Sequence, residues 1–311
     1  MALVYERAGT LGANGTRSAD LLDKRVNKYM KIIEESPLNM EQFFKKDVAK
    51  TANFKFSTIG DELDFPRLRD DKQPFPLATP PPGYNTEFDY KTYQLGVAST
   101  EALEMFDQSS QLSFILGGLP KAFQRFYEYG MTSTFELAVS TAGSDAVNGF
   151  SASHPQRGMG APVWSNLDTS AVLDSTSVNA MWVNMANRKN AMGFATKMRL
   201  KEIIASTKWR EKLVQLETSE KVPESNVNAT NAYRAMGYTI VETLSSSAPW
   251  FGKGDLPEEQ WGFHTIEWQA PKITGLAKDP NIPLVTKRYH GYCRVVFGIS
   301  IPYNFHRNAG A

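Results

Sequence analysis

The sequence contains a single cysteine, Cys293, among its 311 residues. One cysteine excludes an intramolecular disulfide and a cysteine zinc cluster, and a lone cysteine is typical of a buried, reduced thiol. The N-terminus lacks the apolar run of a signal peptide, and no stretch approaches the roughly 20 apolar residues of a membrane-spanning helix. These absences predict a soluble protein that is made inside the cell and has no membrane partner.

Motifs for metal, cofactor and phosphate binding are missing as well. The four histidines lie far apart along the chain, without the short spacings of zinc-binding pairs, and no Walker or dinucleotide-binding glycine pattern occurs. Charge is balanced, because 34 Lys and Arg oppose 33 Asp and Glu for a formal net charge of +1. Such a chain has no electrostatic footprint for tight wrapping by nucleic acid. We therefore predict no metal and no cofactor.

The stretch NGFSASHPQRG, residues 148–158, places serines beside a histidine. A nucleophilic serine needs a histidine that faces it across a site, whereas the side chains of sequence neighbours such as Ser153 and His154 usually diverge. The G-x-S-x-G elbow of the α/β-hydrolases is also absent. The prediction is therefore that the protein is not an enzyme and has no catalytic residues. A serine hydrolase that uses Ser153, or Ser151, with a distant histidine stays as an alternative from a different functional class.

The strongest helical pattern is LPKAFQRFYEYGMTSTFELAVSTAG, residues 119–143. Pro120 suits a first helical turn, Gly143 suits a C-terminal stop, and an aromatic stripe follows the helical period between them. The pattern predicts a helix roughly 35 Å long whose stripe lies in the core. The preceding QSSQLSFILGG predicts a shorter helix that breaks at Gly117 and Gly118.

Alternating apolar residues predict strands at residues 53–59, 87–99 and 292–301. The segment between the first two strands holds six prolines and the charge cluster RLRDDK, residues 67–72, and it is too long for a tight hairpin turn. We call its proline-rich part, residues 66–82, the excursion. Two explanations stay open: a disordered surface loop, or a proline-stiffened segment that loses little entropy when it reaches a partner.

The rest of the chain mixes helices and strands. Periodicity predicts helices at residues 18–37, 176–191 and 206–219, and strands at residues 197–205 and 238–244. The stretch SSSAPWFGKGD, residues 245–255, is rich in turn residues. Hydrophobic residues make up 41% of the chain, which supplies a sizeable core. The sequence therefore predicts an α+β protein.

This order of elements resembles the major capsid proteins of tailed bacteriophages and is most similar to the Mu-like major head subunit group. Residues 148–155 resemble that group's D-G-x-x-L-F-S-x-x-H-P turn after the long helix, with Asn148 where an Asp is more usual. Residues 165–167, Ser-Asn-Leu, resemble its T/S-N-L sequence, and residues 209–251 resemble its helix, Asn-containing loop, strand and aromatic segment. The resemblance covers residues 20–302 and departs from the group in the extra prolines of the excursion.

The resemblance implies an α+β, Hong Kong 97-like capsid fold with an N-terminal arm, an extended β-hairpin loop, a long spine helix, and peripheral and axial domains. His154 would then be a structural residue in the turn that leaves the spine helix. The implied division of the chain is residues 1–50 as the N-terminal arm with a helix, 51–99 as the extended loop (E-loop), 100–146 as the peripheral domain with the spine helix, 147–265 as the axial domain, and 266–311 as a return to the peripheral domain with the C-terminal strand.

The implied function is self-assembly into the icosahedral shell that encloses the double-stranded DNA genome of a tailed bacteriophage. The implied partners are other copies of the chain in pentamers and hexamers, scaffold, portal and decoration proteins, and packaged double-stranded DNA through non-specific contacts. The protein would be made in the host bacterial cytoplasm and end in the virion. An encapsulin-like nanocompartment shell is the alternative with the same fold. The residues expected to contact a neighbouring subunit are Arg67, Arg69, Asp70, Asp71, Lys72 and Phe75.

Overall fold

The computed structural model describes residues 4–7, 38–57, 84–100, 111–155, 163–169, 172–189, 195–222, 230–234, 236–245, 249–276 and 285–310. The predicted helix at residues 18–37 and the excursion, residues 66–82, lie outside these ranges. None of the helices within the described ranges is long and apolar enough to cross a membrane.

Helices and strands alternate irregularly along the described chain, which confirms the predicted α+β class. The helices are α1 Gln111–Leu137, α2 Ser175–Ala186 and α3 Arg210–Thr218. The first strands are β1 Val4–Arg7, β2 Lys45–Val48, β3 Asn53–Ser57, β4 Asn85–Asp89, β5 Lys91–Thr100 and β6 Leu167–Asp168. The later strands are β7 Leu200–Ala205, β8 Gly237–Ile240, β9 Trp250–Gly254, β10 Phe263–Leu276, β11 Val285–Ile299 and β12 Phe305–Asn308.

Two sheets have five strands each. The one that contains the long strands β10 and β11, here called the larger sheet, has the strand order β1-β10-β11-β5, and β2 also pairs with β10. The long strands β10 and β11 run antiparallel from Phe263 opposite Ile299 to Leu276 opposite Arg288. Strand β5 continues the antiparallel order beside β11, whereas β1 and β2 pair with β10 in parallel. The register of β10 shifts between Gln269 and Lys272, around a proline that has no N–H to donate to the ladder.

Helix α1 packs its aromatic stripe against the larger sheet. Phe123, Tyr127, Met131 and Phe135 recur every four residues and are all buried, because side chains at that spacing share one face of an α-helix. They belong to a core cluster that also contains residues of β10 and β11. The predicted core position of the stripe is therefore confirmed.

The second sheet has the strand order β6-β12-β9-β7-β8. Helices α2 and α3 pack on it through a second buried cluster, in which Met181 and Met185 of α2 and Leu213 and Leu216 of α3 surround Trp250 of β9. The spacings of four and three residues are those of an amphipathic helix with one buried face.

Phe135, near the end of α1, contacts both sheets. The ring of Phe135 lies 4.8 Å from that of Phe263 on β10, in the larger sheet. It also lies 4.5 Å from the ring of Phe251 on β9 and 5.5 Å from that of Phe305 on β12, both in the second sheet. The aromatic cluster therefore fixes the helix against both sheets at once.

Helix α2 begins at a capping box. The Asp174 carboxylate accepts a hydrogen bond from the Ser177 N–H at 2.7 Å, and the Ser177 hydroxyl accepts one from the Asp174 N–H at 3.0 Å. We expect Asp174→Ala to lower the free energy of unfolding by about 1 kcal/mol, because an amide at the helix N-terminus loses its partner. Asp174→Asn keeps an acceptor in place and serves as the matched control in urea unfolding. Equal losses in the two variants would contradict the assignment.

The predicted break before the long helix is wrong. Helix α1 passes through Gly117, Gly118 and Pro120 without interruption, so the two predicted helices are one. A glycine in a helix costs only about 1 kcal/mol relative to Ala. Burial of Leu119, which is 1% exposed, opposes that cost.

The predicted C-terminal stop of the long helix at Gly143 is also wrong, because α1 ends at Leu137. The Ala138 carbonyl accepts a hydrogen bond from the Phe150 N–H at 3.0 Å, and the Gly143 N–H donates to the Val147 carbonyl at 2.7 Å. Tertiary and turn hydrogen bonds thus replace the helical ones before the glycine is reached.

Two predicted strands and one predicted turn also need correction. The strand predicted at residues 87–99 is two strands in separate sheets, because β4 ends at Asp89 and β5 begins at Lys91. The strand predicted at residues 238–244 ends at Ile240, where a turn follows. The turn-rich stretch 245–255 contains β9, whose five residues are all buried. The strand predicted at residues 53–59 is confirmed over Asn53–Ser57 as β3, and residues 58–59 lie outside the described ranges.

Candidate functional site

The residues predicted to contact a neighbouring subunit lie within the excursion and outside the described ranges: Arg67, Arg69, Asp70, Asp71, Lys72 and Phe75. The structure does describe the two strands that flank this part of the chain. Strands β3 and β4 form an antiparallel pair, here called the ribbon, with Asn53 opposite Asp89 and Ser57 opposite Asn85. The intervening chain therefore leaves and re-enters the ribbon at the same end.

The ribbon packs on the larger sheet through two phenylalanine rings. The ring of Phe56 lies 4.5 Å from that of His264, and the ring of Phe88 lies 6.2 Å from it. Phe88 also occupies the space beside Gly298, where an added Cβ would overlap the ring. His264 of β10 and Gly298 of β11 are directly opposite each other in the ladder. The flat imidazole of His264 beside Gly298, which has no side chain, forms a notch in the sheet surface. We call this feature the ribbon notch.

The imidazole of the ribbon notch is held on both sides. His264 is 0% exposed, its Nδ1 lies 3.3 Å from Asp47 Oδ2, and its Nε2 lies 2.9 Å from Ser300 Oγ. This is a serine–histidine–aspartate arrangement that sequence spacing did not predict. Ser300 is only 2% exposed, and a nucleophile must be reached by its substrate. The arrangement therefore supports a structural role for His264.

A second aromatic contact holds the ribbon where β4 passes into β5. The ring of Tyr90 lies 5.9 Å from that of Trp268 on β10, and the Arg294 guanidinium lies 5.5 Å from the centre of the Tyr90 ring. The Trp268 indole N–H donates to the Thr51 carbonyl at the start of the ribbon. The residues just before β3 and just after β4, Thr51 and Tyr90, are thus both held to Trp268 of the larger sheet.

The turn that contains His154 is a buried hydrogen-bonded cluster. His154 is 0% exposed, its Nδ1 lies 2.6 Å from Asp145 Oδ2, and its Nε2 lies 3.0 Å from Asn166 Oδ1. The imidazole also stacks on the Trp164 ring at 4.3 Å and 16°. Asn166 Oδ1 accepts the Ser151 N–H at 2.8 Å. Because Asn166 Oδ1 is an acceptor, His154 Nε2 donates the hydrogen bond between them. Both imidazole nitrogens of His154 are therefore engaged.

Asn166 ties this turn to the second sheet. The Asn166 side-chain amide donates to the Gly149 carbonyl at 2.7 Å, and the Asn166 backbone carbonyl accepts the Arg307 N–H of β12 at 2.8 Å. Two of the motifs that carry the family resemblance, residues 148–155 and 165–167, are therefore one structural unit. His154 has the structural place that the resemblance implied.

The described chain does not pair Ser153 with a histidine. The Ser153 N–H donates to Ser151 Oγ at 3.2 Å, and the imidazole of His154 faces Asp145 and Asn166 instead. A general base needs a free nitrogen within hydrogen-bond reach of the hydroxyl. The hydrolase alternative therefore lacks its central contact.

The two remaining histidines are engaged with other side chains. His290 Nε2 lies 3.4 Å from Gln94 Oε1. Buried His306 lies between Arg188 Nη2, 2.7 Å from its Nδ1, and Asp168 Oδ2, 2.9 Å from its Nε2. Burial is the main cause that lowers the pKa of His306, and burial also lowers the pKa of Arg188 to about 10.

The single thiol is buried, and the acidic side chains of the described ranges form no metal-binding cluster. Cys293 is buried, and burial, with a smaller contribution from the Glu267 charge, raises its pKa to about 12. Such a thiol is inert, because the thiolate is the reactive form. Among the residues that the structure describes, no three His, Cys, Asp or Glu side chains group as a metal site.

Exposed apolar side chains mark surfaces suited to protein partners. Helix α2 has no charged residue, and its outer face exposes Trp182 at 40% and Val183 at 39%. Within the described ranges β5 pairs with β11 alone, so its second edge is open. A groove of about 230 Å³ lies between this strand and α1, lined in part by Leu95 and Phe126. Open strand edges and apolar surface both favour association.

No protein-family model matches the chain, and no curated protein does. Solved structures do match. A chain in the structure of Microbacterium phage Oxtober96 is similar with a TM-score of 0.55 at 10% identity, over 89% of this chain and 92% of that one. A chain of the virus-like particle from Pyrococcus furiosus gives 0.53 at 8% identity, over 94% and 100%. A chain in the capsid of a native GTA particle gives 0.53 at 10% identity, over 89% and 91%.

Identities of 8–10% show a shared fold rather than a shared activity. The matches extend over almost the whole length of each partner, so the likeness concerns the complete architecture and not one motif. Membership of the Mu-like group stays a prediction. The chain shares the fold of these chains, a Hong Kong 97-like fold, as the family resemblance implied.

Proposed function

We propose that this protein is the major head protein of a tailed bacteriophage and assembles into the icosahedral shell around double-stranded DNA. The observation that carries the proposal is the match of 89% of the chain to proteins from a phage structure and a GTA capsid. The engaged imidazoles and the buried thiol agree with a structural, non-enzymatic role. The virion would be the site of action.

Assembly requires one chain to make the same contacts many times. Contacts between different patches on neighbouring copies close into rings, here pentamers and hexamers, when the rotation between copies permits it. The uncharged outer face of α2, the open edge of β5 and the excursion supply distinct patches for such contacts. The division of the chain into five parts, namely the arm, E-loop, peripheral domain, axial domain and C-terminal return, belongs to the same proposal.

The excursion would contribute geometry more than strength. We place Arg67, Arg69, Asp70, Asp71, Lys72 and Phe75 against a neighbouring copy, where each exposed ion pair contributes only ~0–1 kcal/mol. Charge pairs of this kind fix register and suppress wrong partners. Packaged DNA, scaffold, portal and decoration proteins are the further partners, and the formal net charge of +1 is compatible with weak DNA contact.

Electron microscopy of the purified full-length chain tests the proposal. We expect closed shells of uniform diameter when protein concentration is raised, with or without an added scaffolding protein. A chain that stays monomeric under every such condition would exclude the shell function.

A protein nanocompartment is the second candidate, because the virus-like particle from Pyrococcus furiosus shares the fold over 94% of this chain. The two candidates differ in what the particle encloses. Particles purified from the natural source after nuclease treatment should contain protected double-stranded DNA if the protein forms a phage head. Particles that contain protein cargo and no protected DNA would favour the nanocompartment.

A further inference from the structure

We infer that the ribbon notch, formed by His264 and Gly298, sets the angle at which the ribbon leaves the larger sheet and thereby the curvature of the assembled shell. The inference rests on the proposed shell function and assigns a positioning role to residues that no sequence motif marked. It concerns the joint between the body of the subunit and the chain that would reach a neighbour.

The orientation of the ribbon depends on side-chain contacts. Among the described strands, β3 and β4 pair only with each other, so no ladder of backbone hydrogen bonds ties the ribbon to either sheet. Its attachments include the Phe56 ring over His264, the Phe88 ring in the space beside Gly298, and the contact of Tyr90 with Trp268. Hydrogen bonds lie at its two ends, from the Trp268 indole N–H to the Thr51 carbonyl and from the Tyr84 hydroxyl to the Pro155 carbonyl. Aromatic contacts of this kind prefer particular ring geometries, so they can select one tilt.

The notch is a rigid reference surface. Hydrogen-bond partners on two different strands, Asp47 of β2 and Ser300 after β11, hold the His264 ring. Gly298 is buried beside it, and its missing Cβ is the space into which Phe88 fits. Because His264 and Gly298 are paired across β10 and β11, neither can shift without moving the two longest strands of the sheet.

The notch contacts the ribbon at both Phe88, one pair from its root, and Phe56, one pair from its far end. A change at the notch therefore changes the direction of the far end, from which the intervening chain departs. Each strand of the ribbon has five residues, or about 16 Å at about 3.3 Å per residue. A tilt of about 10° about the junction at Tyr90 therefore moves the far end by about 3 Å on that length and lifts Phe56 from His264. A shift of this size changes the rotation between neighbouring copies, which decides whether and at what diameter the contacts close.

Gly298→Ala is the direct test, because the added methyl group occupies the position of the Phe88 ring. The expected result is a folded subunit whose shells have a different mean diameter, a broadened diameter distribution or unclosed walls in cryo-electron microscopy. The matched control is Gly291→Ala on the same strand, where a Cβ would overlap the ring of Phe123 on α1. That variant overpacks a phenylalanine of the core and leaves the ribbon untouched, so its shells should keep the wild-type diameter.

A second variant covers the case in which Gly298→Ala fails to fold. Phe88→Ala removes a half-buried ring and leaves the notch empty. We expect limited proteolysis within residues 58–84 to become about 2- to 10-fold faster, since one aromatic contact is lost, and shell diameters to become heterogeneous.

Four results decide between the ideas. Wild-type diameters in both Gly298→Ala and Phe88→Ala would overturn the inference, and so would an equal change of diameter in Gly291→Ala. A wild-type chain that forms no shell would refute the proposed function instead. Altered diameters in the two ribbon variants, with wild-type diameters in Gly291→Ala, would support the positioning role.

Discussion

Deletion of residues 66–82 is expected to abolish shell formation while the subunit stays folded. The deleted residues lie between β3 and β4, and the last pair of that ribbon, Ser57 and Asn85, stands at the end from which the intervening chain departs. Residues 58–65 and 83–84 remain to connect the strands, which is ample for a hairpin connection. Among the residues that the structure describes, neither core cluster includes a residue of β3 or β4, the two strands that flank the deletion.

The physical reason for the loss of assembly is the loss of reach. A shortened loop closes at a slightly lower entropy cost, so the isolated subunit should unfold at or above the wild-type temperature by circular dichroism. The contacts proposed for Arg67 to Phe75 on a neighbouring copy disappear, and electron microscopy should show no closed particles. Wild-type shells from the deleted chain would contradict the role of the excursion, and an unfolded subunit would contradict the expectation that the subunit folds without it.

A length-matched control separates reach from chemistry. Replacing residues 66–82 by a Gly/Ser sequence of the same length restores the span but removes the prolines and the charges. Such a linker behaves as a flexible coil and loses more entropy when it docks. We therefore expect assembly to stay at least ten-fold below wild type at equal protein concentration, a difference that corresponds to about 1.4 kcal/mol. Full recovery by this variant would mean that length alone matters.

The long helix could be predicted from sequence because its signal is local. The recurrence of Phe123, Tyr127 and Phe135 at multiples of four residues allows one buried face, and the structure buries all three. Its ends could not be predicted in the same way. The start depends on tolerance of Gly117 and Gly118 in a packed helix, and the end depends on a hydrogen bond from the Phe150 N–H, which only the tertiary structure supplies.

Strand β9 was predicted as a turn because glycine has two uses that sequence alone does not separate. Gly252 lies inside the strand, and a Cβ there would overlap the side chains of Met181 and Leu200. The glycine is required by the close approach of helix α2 and strand β7, not by a turn. Strand β10 was missed for a related reason, since Gln269 and Pro271 interrupt its alternation where the ladder shifts register.

The ribbon notch was also beyond prediction from sequence. Its two halves, His264 and Gly298, meet only through the register of β10 and β11, and one glycine among 22 carries no local mark. The ribbon did carry a signal in the sequence, because Phe54 and Phe56 alternate along β3, as expected for a strand with one buried face. The order of elements predicted the fold class, while the joints between elements required the three-dimensional register.

His154→Ala is expected to lower the free energy of unfolding by about 3–5 kcal/mol, the usual result of removing one partner of a buried pair. The substitution leaves the carboxylate of Asp145, whose side chain is 1% exposed, facing a cavity in place of the imidazole nitrogen 2.6 Å away. It also removes the stack on Trp164 and the contact with Asn166. Urea unfolding measures the loss, which is a large fraction of the roughly 5–15 kcal/mol that stabilises a typical domain.

Ser153→Ala is the control that separates the structural role of His154 from catalysis. Ser153 is exposed, and a surface substitution of this kind changes stability by no more than about 0.5 kcal/mol. The structural role predicts an unstable His154→Ala subunit, a stable Ser153→Ala subunit that assembles normally, and no hydrolysis of a p-nitrophenyl ester by the wild-type protein. A hydrolase predicts the reverse: both variants fold and assemble, and both lose an ester hydrolysis that the wild type performs. The engagement of both imidazole nitrogens favours the first outcome, because a histidine that already bonds Asp145 and Asn166 has no nitrogen left to accept a proton from serine.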